Sequence, residues 1–292
     1  MLVRDLFLVD RLNNCDYVKD DAMMKLSLSN CCNWLLGLTI ALTAAAPVLA
    51  GQDCGERAAP TPQAMLKGLE LGERVRDQLE ASGASMALVA RIGLNLGEFG
   101  QRYTHIGVAL RDHVRNRWQV LHLFNSCGKS DSDILNQPLE KFYETSLFEY
   151  EALVIVPSYA AQAKARIAFL QASTAKALHQ PAYNLIAHPY RTEFQNSNQW
   201  VLEMMASALA SGQPLRDRKS VQTWLQAQGF EPAGVRIPNV KRTAARLFSP
   251  HVRFSDHSQD EYEKQTYLVV TVESIAKFLS RIDPGAAETT VK

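Results

Sequence analysis

Hydrophobic positions recur at helical spacing over residues 62–81, where Met65, Leu66, Leu69, Val75 and Leu79 fall along one run. Thr61-Pro62 supplies a capping hydroxyl and a proline at the first helical position, and Gly83 stops the helix. Three stretches rich in strand formers follow: Met86 to Ile92, Tyr103 to Arg111, and Trp118 to Asn125. The last two flank the polar segment 112–117, which predicts an antiparallel hairpin. Pairing Arg111 with Trp118 would set His105 opposite Phe124 and His122 opposite Gly107. Ala152 to Val156 ends at Pro157 and reads as a further strand, and residues 159–178 read as one alanine-rich helix. Beyond Pro181 and Pro189, helices are expected from Ser197 and over 220–228, then a strand from Tyr267 to Val272 and a helix from Glu273 to Ser280. Residues 284–292 are expected to be a disordered tail. Helices and short strands mix without regular alternation, so the expected class is α+β, with a small antiparallel sheet packed against helices.

At the amino end, Lys25 precedes the apolar run Trp34 to Leu42, which leads into Pro47-Val48-Leu49-Ala50. Small residues at 48 and 50 fit a secretory cleavage after Ala50, and the charged stretch before Met23 or Met24 reads as an extended start. The run is short for a membrane span, so a released periplasmic or secreted protein is favoured over an uncleaved anchor. Residues 1–50 are then a leader, and 51–283 a single domain. Cys54 and Cys127 are the cysteines left after cleavage, and in an oxidising space they are expected to form a disulfide; two unpaired buried thiols are the alternative.

A chain of 292 residues, 47% hydrophobic and 21% charged, is neither fibrous nor multi-spanning. Cleavage removes four of the 31 basic and five of the 30 acidic residues, leaving a near-neutral chain with no nucleic-acid surface to expect. No cofactor motif is found, and no metal-ligand spacing. Phe254-Ser255-Asp256-His257 with Asp260, Glu261 and Glu263 reads as a turn with a solvated acidic face, and Arg216, Arg218 and Lys219 as a solvated helix start.

The chemistry concentrates around Gln195 to Glu203. Asn196 can cap a helix while Gln199 reaches back to it, which makes Ser197 the first helical residue. Positions 200/201, 204/205 and 208/209 then continue a buried stripe on the side of Ser197. A hydroxyl there lies beside helix-terminal N–H groups that would stabilise an oxyanion. Strand alternation puts Tyr103, His105, Gly107 and Ala109 on one face, with Gly107 and Ala109 leaving room for a helix. His122 becomes the diagonal neighbour of His105. The candidate catalytic set is therefore Ser197 as nucleophile, His105 as base and His122 as orienter. The bland alternative makes Ser197 part of a helix cap and both histidines core residues.

Thr104-His105-Ile106-Gly107-Val108, His122 and Asn196-Ser197-Asn198-Gln199-Trp200-Val201 resemble, in that order, motifs of the permuted papain-like superfamily, which includes NlpC/P60-type cell-wall amidases and lecithin retinol acyltransferase-like proteins. The likeness spans residues 85–210 and implies a papain-like core with a C-terminal extension. Serine stands at 197 where that pattern has cysteine. The whole chain also resembles a family of secreted bacterial proteins of unknown function, through the leader, Tyr103-Thr104-His105, Asn125-Ser126-Cys127-Gly128 and Gln195 to Glu203. The resemblance implies a hydrolase or acyltransferase acting on an envelope amide or ester. The alternative is an inactive module using the same cleft to bind an envelope peptide, glycan, lipid or protein partner.

Overall fold

A computed structural model describes residues 60–115, 117–125, 130–210, 215–249 and 251–292. The expected leader, Cys54 and Cys127 lie outside the described residues, and so does the expected disulfide.

Thr61 accepts a hydrogen bond from the Ala64 N–H and Pro62 opens α1 (Pro62–Ala81), as the capping pattern requires. Then come β1 (Met86–Ile92), β2 (His105–Asp112), β3 (Arg117–Asn125), β4 (Ser132–Pro138), α2 (Leu139–Tyr143) and β5 (Glu149–Val156). The remainder is α3 (Tyr159–Leu170), α4 (Ala172–Ala177), α5 (Ser197–Leu209), α6 (Arg218–Ala227), β6 (Ala233–Arg236), α7 (Asn239–Phe248), α8 (Gln259–Lys264), β7 (Thr266–Val269), α9 (Val272–Ile282) and β8 (Ala287–Val291). The fold is α+β. Among the described residues, six strands form an antiparallel sheet in the order β4-β3-β2-β1-β5-β8, and β6 pairs with β7 separately.

Alternation along the central strands gives the sheet two buried faces. Met86, Leu88 and Ala90 of β1 and Ile106, Val108 and Leu110 of β2 join a core with Phe169 of α3, Trp200 and Met204 of α5, Leu225 of α6 and Phe278 of α9. Ala87, Val89, Ala109, Trp118 and Val120 face the other way, onto Leu71 and Val75 of α1 and Leu139 and Phe142 of α2. The sheet is thus the middle of three layers, and a single strand slipping by one residue would exchange its two sets.

The hairpin pairs Arg111 with Trp118, the expected register. The helix expected over 159–178 is two helices, because Gln171 takes extended backbone and turns the chain between α3 and α4. The expected disordered tail is instead β8, paired with β5 from Ala152–Val291 to Val156–Ala287, and its backbone groups complete an otherwise open sheet edge. Gln199 does not reach back to Asn196: its side-chain amide donates to the His188 and Pro189 carbonyls, and only the Asn196 half of the cap forms. Residues 197–206 are buried on every side of α5, since the sheet, α3 and α6 surround it, so the expected one-sided stripe is too narrow.

Candidate active site

His105 opens β2, where the sheet ends, and this position lets its ring touch both layers. On one side it stacks on Phe142 of α2, with centroids 5.6 Å apart. On the other, its Nδ1 lies 3.0 Å from Ser197 Oγ at the first residue of α5. Its Nε2 lies 2.9 Å from His122 Nδ1, and His122 Nε2 lies 3.0 Å from the Gln137 side-chain nitrogen on β4. Ser197, His105, His122 and Gln137 therefore form one unbroken run of hydrogen bonds.

The small residue at 107 serves this run differently from the sequence expectation. A Cβ on Gly107 would come within 2.6 Å of Val120 Cγ1 and 3.1 Å of His122 Cβ. Gly107 thus makes room for the neighbouring strand's side chains, while α5 packs on the opposite face through Trp200 and Val201.

At the helix start, Asn196 Oδ1 accepts the Gln199 N–H at 2.7 Å. That cap leaves the amides of Ser197 and Asn198 to face outward along the positive end of the helix dipole. A cavity of about 150 Å3 lies at Ser197, lined also by His105, Arg91, Thr145, Tyr183 and His251 among others. Both ring nitrogens of His251 are buried without a hydrogen-bond partner among the described residues. Burial pushes the Tyr183 phenol up to about 12, against a weaker downward pull from Ser197.

Electrostatics keep both catalytic candidates neutral. Burial holds the His105 imidazole well below its ordinary 6.5, with Arg91 and His122 adding to the effect. Burial, then Arg91, lowers His122 to about 3. Arg91 is anchored beside them: its guanidinium donates to the Phe142 carbonyl and lies 4.5 Å from the Phe142 ring centre.

This burial has a measurable consequence. The unfolded chain binds protons at these rings more readily than the native one, so their stabilisation is complete above about pH 6.5 and is lost as pH falls toward 3. The half-buried His179 and His188 and the buried His251 are displaced downward by burial too and steepen the loss. Denaturant melts should show stability already falling between pH 6.5 and 5, above the carboxylate range, by up to about 1.4 kcal/mol per pH unit for each ring. A flat profile over that interval would contradict the assignment of neutral, buried imidazoles.

Two charged clusters differ from their expected solvated character. Arg218 is buried and donates to both carboxylate oxygens of the fully buried Glu203, at 2.8 and 3.1 Å. Gln195 and Gln222 donate to the same carboxylate, at 2.6 and 2.8 Å, because one partner cannot satisfy a carboxylate removed from water. Glu261 is likewise buried: it completes a capping box with Ser258 and accepts from the Leu268 N–H, and its other partner is His257 Nδ1 at 2.9 Å. Asp256 holds the His188 N–H and the Asn184 amide. These groups brace the loop before α5, and Asp260 and Glu263 alone keep the exposed role expected of the segment.

The family model described as an uncharacterized protein conserved in bacteria, DUF2145, matches residues 78–279. The chain belongs to DUF2145. No curated protein and no solved structure matches it. The DUF2145 match covers β1 through most of α9, so it includes every member of the hydrogen-bonded run and the C-terminal elements packed beside it.

Of the residues now around Ser197, sequence reasoning missed Gln137, Phe142, Tyr183 and His251. Gln137 sits in Ser-Asp-Ile-Leu-Asn-Gln-Pro, which carries neither a strand-rich composition nor clear alternation, so no face could be assigned to it. His251 and Tyr183 come from loops whose position is set by distant packing. Phe142 was hidden in a five-residue helix too short to show a period.

Proposed function

We propose that this protein is an exported acyl-group hydrolase or acyltransferase with a papain-like cleft, acting on an amide or ester of the cell envelope through Ser197. The observation that carries the reading is the continuous hydrogen-bonded run from Ser197 through His105 and His122 to Gln137 beside a cavity. The order of its parts supports the papain-like assignment: histidine on one strand, a second polar group on the next, and the hydroxyl at the start of a helix packed on the sheet. Export rests on the leader pattern.

Ser197 Oγ attacks the carbonyl carbon as its proton passes to His105 Nδ1. The oxyanion develops toward the Ser197 and Asn198 amides. His105 then returns the proton to the leaving nitrogen or oxygen as that bond breaks, leaving an acyl-serine. Water or an alcohol, deprotonated in turn by His105, releases the acyl group. The neutral imidazoles suit this chemistry. A cysteine site of the papain kind works as a thiolate-imidazolium pair, and surroundings that hold imidazole uncharged disfavour that pair. An alcohol nucleophile needs only a neutral base.

The base must present a lone pair at Nδ1. This requires His105 Nε2–H to donate to His122 Nδ1, and His122 Nε2–H to donate to an oxygen of Gln137. In the observed orientation the Gln137 nitrogen faces His122, which reverses the run and leaves His105 Nδ1 as a donor to Ser197. That orientation favours the second reading, a non-catalytic cleft for an envelope peptide, glycan, lipid or protein. Rotation of one amide separates the two states.

Turnover of small activated esters decides between them. Wild type should hydrolyse p-nitrophenyl acetate or butyrate with an initial burst, and Ser197→Ala should lose both burst and turnover. Equal background rates in the two proteins would favour the binding cleft.

A further inference from the structure

A second chamber adjoins the Ser197 cavity. Leu96, Thr104 and Leu185 line both, so the two share a wall. Its walls are Phe99, Val235, Ile237, Phe254 and Val269, supplied largely by the β6/β7 ribbon and its surrounding loops. Three buried polar atoms in this apolar lining lack hydrogen-bond partners among the described residues: Gln101 Oε1, Asn198 Oδ1 and Ser249 Oγ. Asn198 and Ser249 are more than nine-tenths buried. Gln101 spends its amide nitrogen on the Phe99 carbonyl, which leaves its oxygen as the acceptor. Such atoms are costly in a dry cavity and are matched when a ligand brings donors.

The volume limits what enters. The chamber measures about 120 Å3. A cavity of about 150 Å3 with an aliphatic and aromatic lining holds a benzene ring. The space here is of the same order, room for one leucine side chain or one phenyl ring and too small for the whole acyl chain of a membrane lipid. Asn198 follows the nucleophile in the chain and lines the second chamber, where its oxygen is an unpartnered acceptor among the described residues. An N–H on the carbon next to the attacked carbonyl is a donor of the kind it lacks.

We infer that this chamber is the acyl-side pocket of the Ser197 site and selects a compact apolar residue with an N–H beside the scissile carbonyl, as in an ester or amide of N-acylated leucine or phenylalanine. The inference rests on Ser197 being the nucleophile. It assigns the apolar part of that choice largely to the β6/β7 ribbon and its loops, and the N–H part to Asn198, the residue after the nucleophile.

Binding to the Ser197→Ala protein tests the pocket without chemistry. N-acetyl-phenylalanine methyl ester should bind at least tenfold more tightly, by calorimetry, than 3-phenylpropionic acid methyl ester, which lacks the N–H, or N-acetyl-glycine methyl ester, which lacks the side chain. Val269→Phe in that background should reduce the binding tenfold or more by filling the chamber. Asn198→Leu should remove the preference for the N-acetylated ester over its desamino analogue. Equal binding of the three esters overturns the inference, and this comparison needs no variant beyond Ser197→Ala. Unchanged affinity in a folded Val269→Phe protein also overturns it. Selective binding without turnover by wild type would leave the pocket standing and remove the hydrolase reading; turnover without selectivity would do the reverse.

Discussion

Substituting alanine for His105 is expected to slow acylation of Ser197 by an activated ester about 10²–10⁴-fold, the usual contribution of a positioned general base. His105 Nδ1 is 3.0 Å from the Ser197 hydroxyl, and no other imidazole touches that oxygen among the described residues. The opposite substitution in sign is Gln137→Glu. A carboxylate at 137 accepts from His122 Nε2 in either rotamer, which fixes the His105 tautomer with its lone pair toward Ser197. Acylation should then accelerate, tenfold for each 1.4 kcal/mol or so by which the carboxylate favours that tautomer. The added negative charge should also move the acid limb of the pH–rate profile upward, because it stabilises imidazolium. Single-turnover burst rates read both effects. A His105→Ala protein as fast as wild type would end the general-base assignment, and a Gln137→Glu protein with unchanged rate and pH profile would detach Gln137 from the run.

Arg218→Met is expected to cost about 3–5 kcal/mol, because it leaves the Glu203 carboxylate buried without its cation. Burial already pushes the Glu203 carboxyl up, with Arg218 opposing it, so removing Arg218 raises that carboxyl further. A carboxyl with a raised native pKa contributes stability at low pH that is lost as pH rises through the native value. The Arg218→Met defect should therefore be larger at pH 8 than at pH 5, and Glu203→Gln added to it should recover part of the loss. Thermal or urea melts at the two pH values measure this. The damage should reach the site, since Gln195 bonds Glu203 two residues before Ser197 and also donates to the Leu178 carbonyl. A loss below about 1 kcal/mol, independent of pH, would mean that the pair behaves as an exposed one.

Local signals in the chain were strong where the physics is local. The Thr61-Pro62 and Asn196-Ser197 starts were legible because a cap needs only a side chain and the next three amides. The β2–β3 hairpin followed from two strand-forming runs around a polar segment, and closing it at Arg111–Trp118 brought His105 and His122 onto one face. What stayed hidden depends on layers closing over one another. β4 carries weak strand character and gains its place by pairing with β3, so Gln137 could not be put on a face. β8 is polar and exists because β5 offers an open edge. Arg218 and Glu203 look like surface charges in sequence, yet they become buried partners when α6 packs on α5. Small residues on β2 were expected to leave room for a helix; Ala109 faces α1 and α2, while Gly107 makes room for Val120 and His122, because alternation assigns two faces without saying which neighbour covers each.

The central claim is that residue 197 is an activated nucleophile rather than part of a helix cap. Reaction of the protein with a fluorophosphonate probe, followed by peptide mass spectrometry, tests it most directly. The account predicts one adduct, on Ser197, forming in wild type, far more slowly in His105→Ala and not in Ser197→Ala. A wild-type protein that stays unmodified under conditions that label a known serine hydrolase, or an adduct at another residue with Ser197 free, would contradict it.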